Sequence, residues 1–282
     1  MIKKGLVLEG GALRGLFSAG VMDVLMEAGI SFDGLVGVSA GAAFGCNYKS
    51  RQIGRVIRYN MRFAHDWRYC SWKSWMRTGD LFGGEFCYHY MPVYLDVFDT
   101  VAFDVNPMEF YAVCTDVETG KPVYKRLMKC SDETYEYIRA SASMPVVSRI
   151  VNVRGQKLLD GGVSDSIPLK FFQRVGYKKN VVVLTQPDGY VKRHNRMMPI
   201  IRMSLRKYPY MIDALDKRHV MYNSQLEYVY GEEAAGRAFV IRPPQNLYIG
   251  HTSHNSEEMR MVYNIGRDVA SKQLNAIKRF LE

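Results

Sequence analysis

Ser39 is the residue whose type and setting most clearly invite chemistry. It stands in Gly37-Val38-Ser39-Ala40-Gly41, a Gly-x-Ser-x-Gly pentapeptide that ends one apolar run and opens another. At a strand-to-helix junction this turn is sharp and strained. Its two glycines remove the Cβ atoms that would collide where strand and helix cross. The serine hydroxyl then projects from the top of a sheet, and the following helix points its positive end at it. A nucleophile is displayed in this way. The pentapeptide alone arises by chance, so its surroundings decide its weight.

A serine that attacks a carbonyl needs donors for the charge that develops on oxygen. Glu9-Gly10-Gly11-Ala12-Leu13-Arg14-Gly15 is a glycine-rich loop with one cation. A Walker loop would place Lys and Ser or Thr straight after the last glycine, but Leu16 and Phe17 follow Gly15. A dinucleotide loop would have glycine where Ala12 stands and an acidic ribose ligand at the next strand end, where the chain has Ser39. Nucleotide binding is therefore disfavoured. An oxyanion hole, with accessible backbone N–H groups and positive potential from Arg14, is favoured over a ligand-free tight turn.

A serine nucleophile also needs a base. The six histidines are His65, His89, His194, His219, His251 and His254. In a Ser–Asp–His order the base would be one of the histidines late in the chain, yet none stands in an obvious strand-end loop. His194 lies in a basic stretch, and His251 and His254 flank the start of the C-terminal helix. A structural role is the better reading of each. Asp160 does better: it ends a hairpin-like stretch, Val151 to Leu159, and precedes Gly161 and Gly162. On its own this is an ordinary Asp-Gly turn. An aspartate serves as base when its hydrogen bond to the serine is short and water is excluded.

The elements that must position these groups follow from the apolar pattern. Leu6-Val7-Leu8 reads as a buried strand, Leu16 to Ala28 as a helix ending at Gly29, and Asp33 to Val38 as a second strand running into Ser39. Strand, loop, helix, strand, elbow and helix make a βαβα unit, which implies a parallel sheet. Further on, Phe110 to Thr115 and Pro122 to Tyr124 form two strands around Glu118-Thr119-Gly120. Asn180 to Thr185 is a fully buried strand, and Phe239 to Pro244 a late one. Ser256 to Leu281 is an amphipathic helix capped by Ser256, with Glu257 and Glu258 in its first turn.

Three motifs now stand in one order: Gly10 to Gly15, Gly37 to Gly41, and Asp160 to Gly162. In this the chain resembles the patatin-like phospholipases over roughly residues 5 to 190. Ala140-Ser141-Ala142-Ser143-Met144-Pro145 is similar to that family's Ala-Ser-rich segment ending in proline. The resemblance implies an α/β, three-layer patatin-like fold, with a mostly parallel central sheet flanked by helices and a C-terminal helical extension. It also implies a Ser39–Asp160 dyad without a catalytic histidine. Gly10, Gly11, Ala12 and Ala40, with Arg14 beside them, would form the oxyanion hole; Gly15, Gly37, Gly41, Gly161 and Gly162 are the motif glycines. Ala12 departs from the family's usual glycine, though an alanine N–H still donates.

Composition is compatible with this reading. The chain has 282 residues, and its 48% hydrophobic content suffices for a large core. The simplest division is a catalytic core over residues 1–188 and a basic, helical extension over 189–282. No stretch approaches a membrane-spanning run of about 20 apolar residues, and the early first strand leaves no room for a signal peptide. Five scattered cysteines without a CxxC pair suggest reduced thiols in a cytoplasm. No metal or other cofactor is expected.

The net charge of +10 implies an anionic partner. Eight Lys and Arg residues lie between Val191 and Tyr222, opposed by Asp213 and Asp216 and interleaved with Met, Ile and Tyr. A second basic zone, Arg62 to Arg77, holds all three tryptophans. Both suit peripheral contact with an anionic membrane surface at its inner face, and equally a helical cap with a solvated basic face. Nothing points to nucleic acid. The expected activity is serine acyl hydrolysis of lipid or other carboxylic esters through an acyl-enzyme. The alternatives are acyl transfer by the same dyad, or lipid binding without catalysis.

Overall fold

The computed structural model describes residues 2–282. Strands β1 (Lys3–Leu8), β2 (Gly34–Val38), β3 (Glu109–Asp116), β4 (Pro122–Arg126), β5 (Val151–Val153), β6 (Gln156–Asp160), β7 (Tyr177–Val183) and β8 (Ala238–Ile241) make one 8-stranded sheet. Its order is β5-β6-β3-β2-β1-β7-β8, with β4 also paired to β3. The central run from β3 to β8 is parallel, while β4 and β6 pair antiparallel to β3.

The helices are α1 (Gly15–Glu27), α2 (Ala40–Lys49), α3 (Arg55–Arg62), α4 (Trp72–Thr78), α5 (Thr100–Val105) and α6 (Asp132–Ser141), followed by α7 (Leu169–Arg174), α8 (Met198–Ser204), α9 (Pro209–Ala234) and α10 (Ser256–Leu281). Short 3₁₀ turns cover Ala12–Arg14 and Gly161–Val163, and Phe86–Leu95 is π-helical.

Strand alternation divides these helices into two layers. Leu6, Leu8, Leu35, Val181 and Val183 face a core shared with α1, α2 and α10. Val7, Val36 and Val182 face the opposite side, where Phe172 of α7 and Leu226 and Val229 of α9 pack. Helices therefore cover both faces of a mostly parallel sheet, as buried parallel strands require. The C-terminal helix lies tightly on the first one. A Cβ on Gly20 of α1 would come within 2.0 Å of the Tyr263 carbonyl of α10, and one on Gly266 within 2.0 Å of the Phe17 carbonyl.

The elbow depends on similar close approaches. A Cβ at Gly37 would stand 2.3 Å from the Gly41 carbonyl oxygen, and one at Gly41 would stand 2.5 Å from that of Leu8. Both contacts are with backbone, which cannot swing aside. Gly41→Ala is expected to destabilise the fold by about 1–3 kcal/mol through overpacking. A urea unfolding curve with its midpoint lowered and its slope unchanged is the expected result.

Three sequence expectations change in detail. The cap of α10 is Asn255, whose side chain accepts from the N–H groups of Glu257 and Glu258, and Ser256 is the first helical residue. Strand β7 begins at Tyr177 and stops at Val183, before Leu184 and Thr185. Strand β8 stops at Ile241, ahead of the Pro243-Pro244 pair that cannot supply ladder donors. Among the described residues, no helix is long and apolar enough to cross a membrane.

Candidate active site

Sheet register brings serine and aspartate together. Val38, the residue before Ser39, lies opposite Val113 of β3, and Cys114 of β3 lies opposite Asp160. A single strand thus separates the two positions, at nearly the same height. The side chains meet above it: Ser39 Oγ donates to Asp160 Oδ2 at 2.6 Å, and both residues are buried. Ser39 has φ 55° and ψ −122°, a backbone state that costs a non-glycine residue about 1–3 kcal/mol. Its N–H donates to Ser141 Oγ at 2.9 Å, and Ser141 Oγ donates in turn to the Val113 carbonyl at 2.6 Å. Through α6, the Ala-Ser segment therefore anchors the strained turn to the central sheet.

The aspartate is held as firmly. Its second oxygen, Oδ1, accepts the Gly162 N–H at 2.7 Å, and its own N–H donates to the Ser143 carbonyl. Burial raises its pKa above the ordinary 3.8, against the lowering effects of the Ser39 hydroxyl, the Arg218 guanidinium and the Gly162 N–H. A carboxylate with a raised pKa is a stronger base than a solvated one. Cys46 lines a cavity that also reaches Ser39. Burial pushes its thiol up to about 12, which leaves almost no thiolate near neutral pH.

The glycine loop closes over the serine. Gly10 passes so near that a Cβ there would lie 2.8 Å from Ser39 Cβ. Among the described residues, the N–H groups of Gly10, Gly11, Ala12 and Ala40 make no hydrogen bond within the protein. For Ala12 and Ala40 this follows from their places at the first turns of their helices. Ala12 takes up φ 48°. Arg14 is different: its N–H is bonded to the Gly11 carbonyl, so what it offers the site is the charge of its side chain. Gly15 follows as the first residue of α1 and packs against Ala40 and Phe44, while Gly161 packs against the Val113 carbonyl.

Two cavities meet at Ser39, and Ala12 and Met144 border both. One, about 110 Å³, is mainly apolar and runs between α2, α3, α6 and the π-helical segment, past Phe44, Tyr59, Met91 and Ile138. The other, about 240 Å³, is polar and holds Asp160, Arg14, Lys192, Arg218, Tyr222 and His251. Sequence reasoning missed most of the polar wall. His251, read as structural, lies in this cavity and its Nε2 pairs with Arg14 Nη1 at 3.2 Å. Burial and the neighbouring cations lower its pKa. Tyr222 donates at 2.6 Å to Glu9, a buried carboxylate that also accepts the Thr185 N–H. Arg218 Nε donates at 2.6 Å to the Gly162 carbonyl, bracing the turn beside Asp160. Arg218 and Tyr222 are four residues apart on α9, one turn of the same face.

Sheet, elbow and buried Ser–Asp pair belong to an α/β protein with helices on both faces of a mostly parallel sheet. The model of the patatin-like phospholipase family matches residues 6–172, and the chain belongs to that family of lipid acyl hydrolases. A domain of unknown function, DUF6363, matches residues 208–282. The uncharacterized protein YjjU of Escherichia coli K12 is 29% identical over 278 residues, which cover 93% of this chain and 74% of YjjU. The lysophospholipase nte1 of Aspergillus oryzae is 29% identical over 177 residues, 61% of this chain but only 11% of that protein. VipD from Legionella pneumophila aligns in structure with a TM-score of 0.46 and 14% identity, covering 98% of this chain and 67% of VipD.

Proposed function

We propose that this chain hydrolyses carboxylic esters of lipids through an acyl-enzyme on Ser39, with Asp160 as the base. The observation that carries the proposal is the 2.6 Å hydrogen bond from Ser39 Oγ to a buried carboxylate. As Ser39 Oγ bonds to the ester carbonyl carbon, its proton passes to Asp160 Oδ2. The carbonyl oxygen becomes an oxyanion facing the N–H groups of Gly10, Gly11, Ala12 and Ala40, with the Arg14 charge beside them. Collapse breaks the bond to the leaving alcohol, which takes the proton from Asp160. Water then repeats the sequence: its proton goes to Asp160, its oxygen bonds to the acyl carbon, and Ser39 Oγ leaves with the proton restored.

The apolar cavity takes the acyl chain. The same π-helical segment that contributes Met91 and Pro92 to that cavity exposes Tyr90 and Tyr94, and α4 nearby in sequence exposes Trp72 and Met76. These side chains support peripheral contact with a lipid surface, where aromatic residues favour the boundary.

Acyl-chain length tests this assignment. Each methylene buried is worth about 0.8 kcal/mol, so kcat/KM should rise up to about fourfold per added methylene until the cavity is full. Ala43→Phe places a ring in that cavity and should remove the gain for long chains while sparing acetyl esters. A flat chain-length profile in the wild type, or one unchanged in Ala43→Phe, would move the acyl chain elsewhere.

A further inference from the structure

The polar cavity beside the dyad gathers three cations from separate parts of the chain. Arg14 comes from the glycine loop, Lys192 from the segment between β7 and α8, and Arg218 from α9. Among the described residues none of the three makes a salt bridge, whereas Arg58, Arg139 and Arg267 each hold a carboxylate. The two carboxylates of the cavity have both oxygens engaged. Those of Glu9 accept from Thr185 and Tyr222, and those of Asp160 from Ser39 and Gly162.

The cations are mutually felt. Burial first, then Arg218 and Arg14, depress the Lys192 ammonium to about 8, with Glu9 opposing. Lys192 lies over the Tyr222 ring at 4.7 Å, and Arg14 Nε is buried without a partner among the described residues. Concentrating like charges in a partly enclosed cavity is unfavourable unless an anion completes it.

We propose that this cavity is an anion subsite that holds a phosphate group on the leaving-group side of the acyl ester. The placement follows from the two cavities: the apolar one takes the acyl chain, so the alcohol portion must leave through the polar one. The substrate class is then an acyl glycerophosphate or related phospholipid, whose phosphate is a few bonds from the ester oxygen. Two of the residues that build the subsite, Arg218 and Tyr222, lie beyond the 6–172 family match and within the C-terminal domain of unknown function. That region thereby acquires a task in substrate choice. This inference rests on the acyl-hydrolase reading.

The test compares kcat/KM for a short-chain 1-acylglycerol 3-phosphate with that for the 1-acylglycerol of the same chain, both below their micellar concentrations. The wild type should prefer the phosphate ester, and Lys192→Met should lower the preference about 10- to 100-fold, as expected for one charge-assisted contact. Lys192→Arg should restore it. Calorimetric titration with glycerol 3-phosphate reads the subsite without turnover and should show binding that Lys192→Met loses.

Equal use of the two esters, with Ser39 still labelled by a fluorophosphonate, would overturn the subsite and leave the hydrolase reading standing. Absence of labelling and turnover in the wild type, with glycerol 3-phosphate still bound through Lys192, would overturn the hydrolase reading and the leaving-group placement with it, and leave the anion site standing. Binding of inorganic phosphate without preference for the phosphate ester would overturn the head-group assignment in favour of free phosphate.

Discussion

Ser39→Ala is expected to lower kcat for ester hydrolysis by about 10⁴- to 10⁶-fold, the range seen when the nucleophile of a serine hydrolase is removed. The loss is chemical rather than structural. Ser39 Oγ makes one hydrogen bond, to Asp160, and the backbone bonds that hold the elbow come from its N–H and carbonyl, which alanine keeps. The Cys46 thiol, which lines the same cavity as Ser39 and is pushed up to about 12 by burial, offers no substitute nucleophile. Thermal unfolding of Ser39→Ala should therefore match the wild type, while turnover disappears.

Asp160→Asn should be nearly as severe, about 10³- to 10⁴-fold in kcat, because the amide occupies the same space but cannot accept the proton. The pH profile carries an independent signature. A base at Asp160 works deprotonated, so kcat/KM should fall as pH drops through its pKa. Burial places that pKa above the ordinary 3.8, and the acidic limb of the profile should be displaced upward to match. The residual activity of Asp160→Asn should lack this limb. An unchanged limb in Asp160→Asn would assign the ionisation to another group.

How much of the site was legible depended on whether local chain chemistry marked it. The elbow glycines announce themselves because only glycine fits between Leu8, Gly37 and Gly41, and that constraint is written in five consecutive residues. Asp160 was visible as a strand-end acid before two glycines. The sheet strands followed from unbroken apolar runs, although Pro243 and Leu184 show that such runs overstate strand ends.

The rest of the site depends on distant chain segments meeting. Lys192 and Arg218 belong to a basic stretch that reads equally as membrane contact or as a solvated helical cap, and His251 stands just before the C-terminal helix, where it reads as structural. Only the packing of α9 across the sheet turns Arg218 and Tyr222 toward Asp160 and Glu9. The π-helical segment, Phe86–Leu95, follows no 3.6-residue or two-residue period, so the wall of the apolar cavity left no pattern to read. Glu9 was overlooked because its partners, Thr185 and Tyr222, lie far along the chain. The cap of α10 differed by one residue, since Asn255 and Ser256 are both capping types and only backbone geometry chooses between them.

The most direct test of the Ser39–Asp160 pair is the mapping, by peptide mass spectrometry, of covalent capture by a fluorophosphonate. One adduct per chain is predicted, on the peptide containing Ser39, formed rapidly in the wild type, far more slowly in Asp160→Asn and not at all in Ser39→Ala. An adduct on a different residue, or ester turnover that survives in Ser39→Ala, would contradict the account.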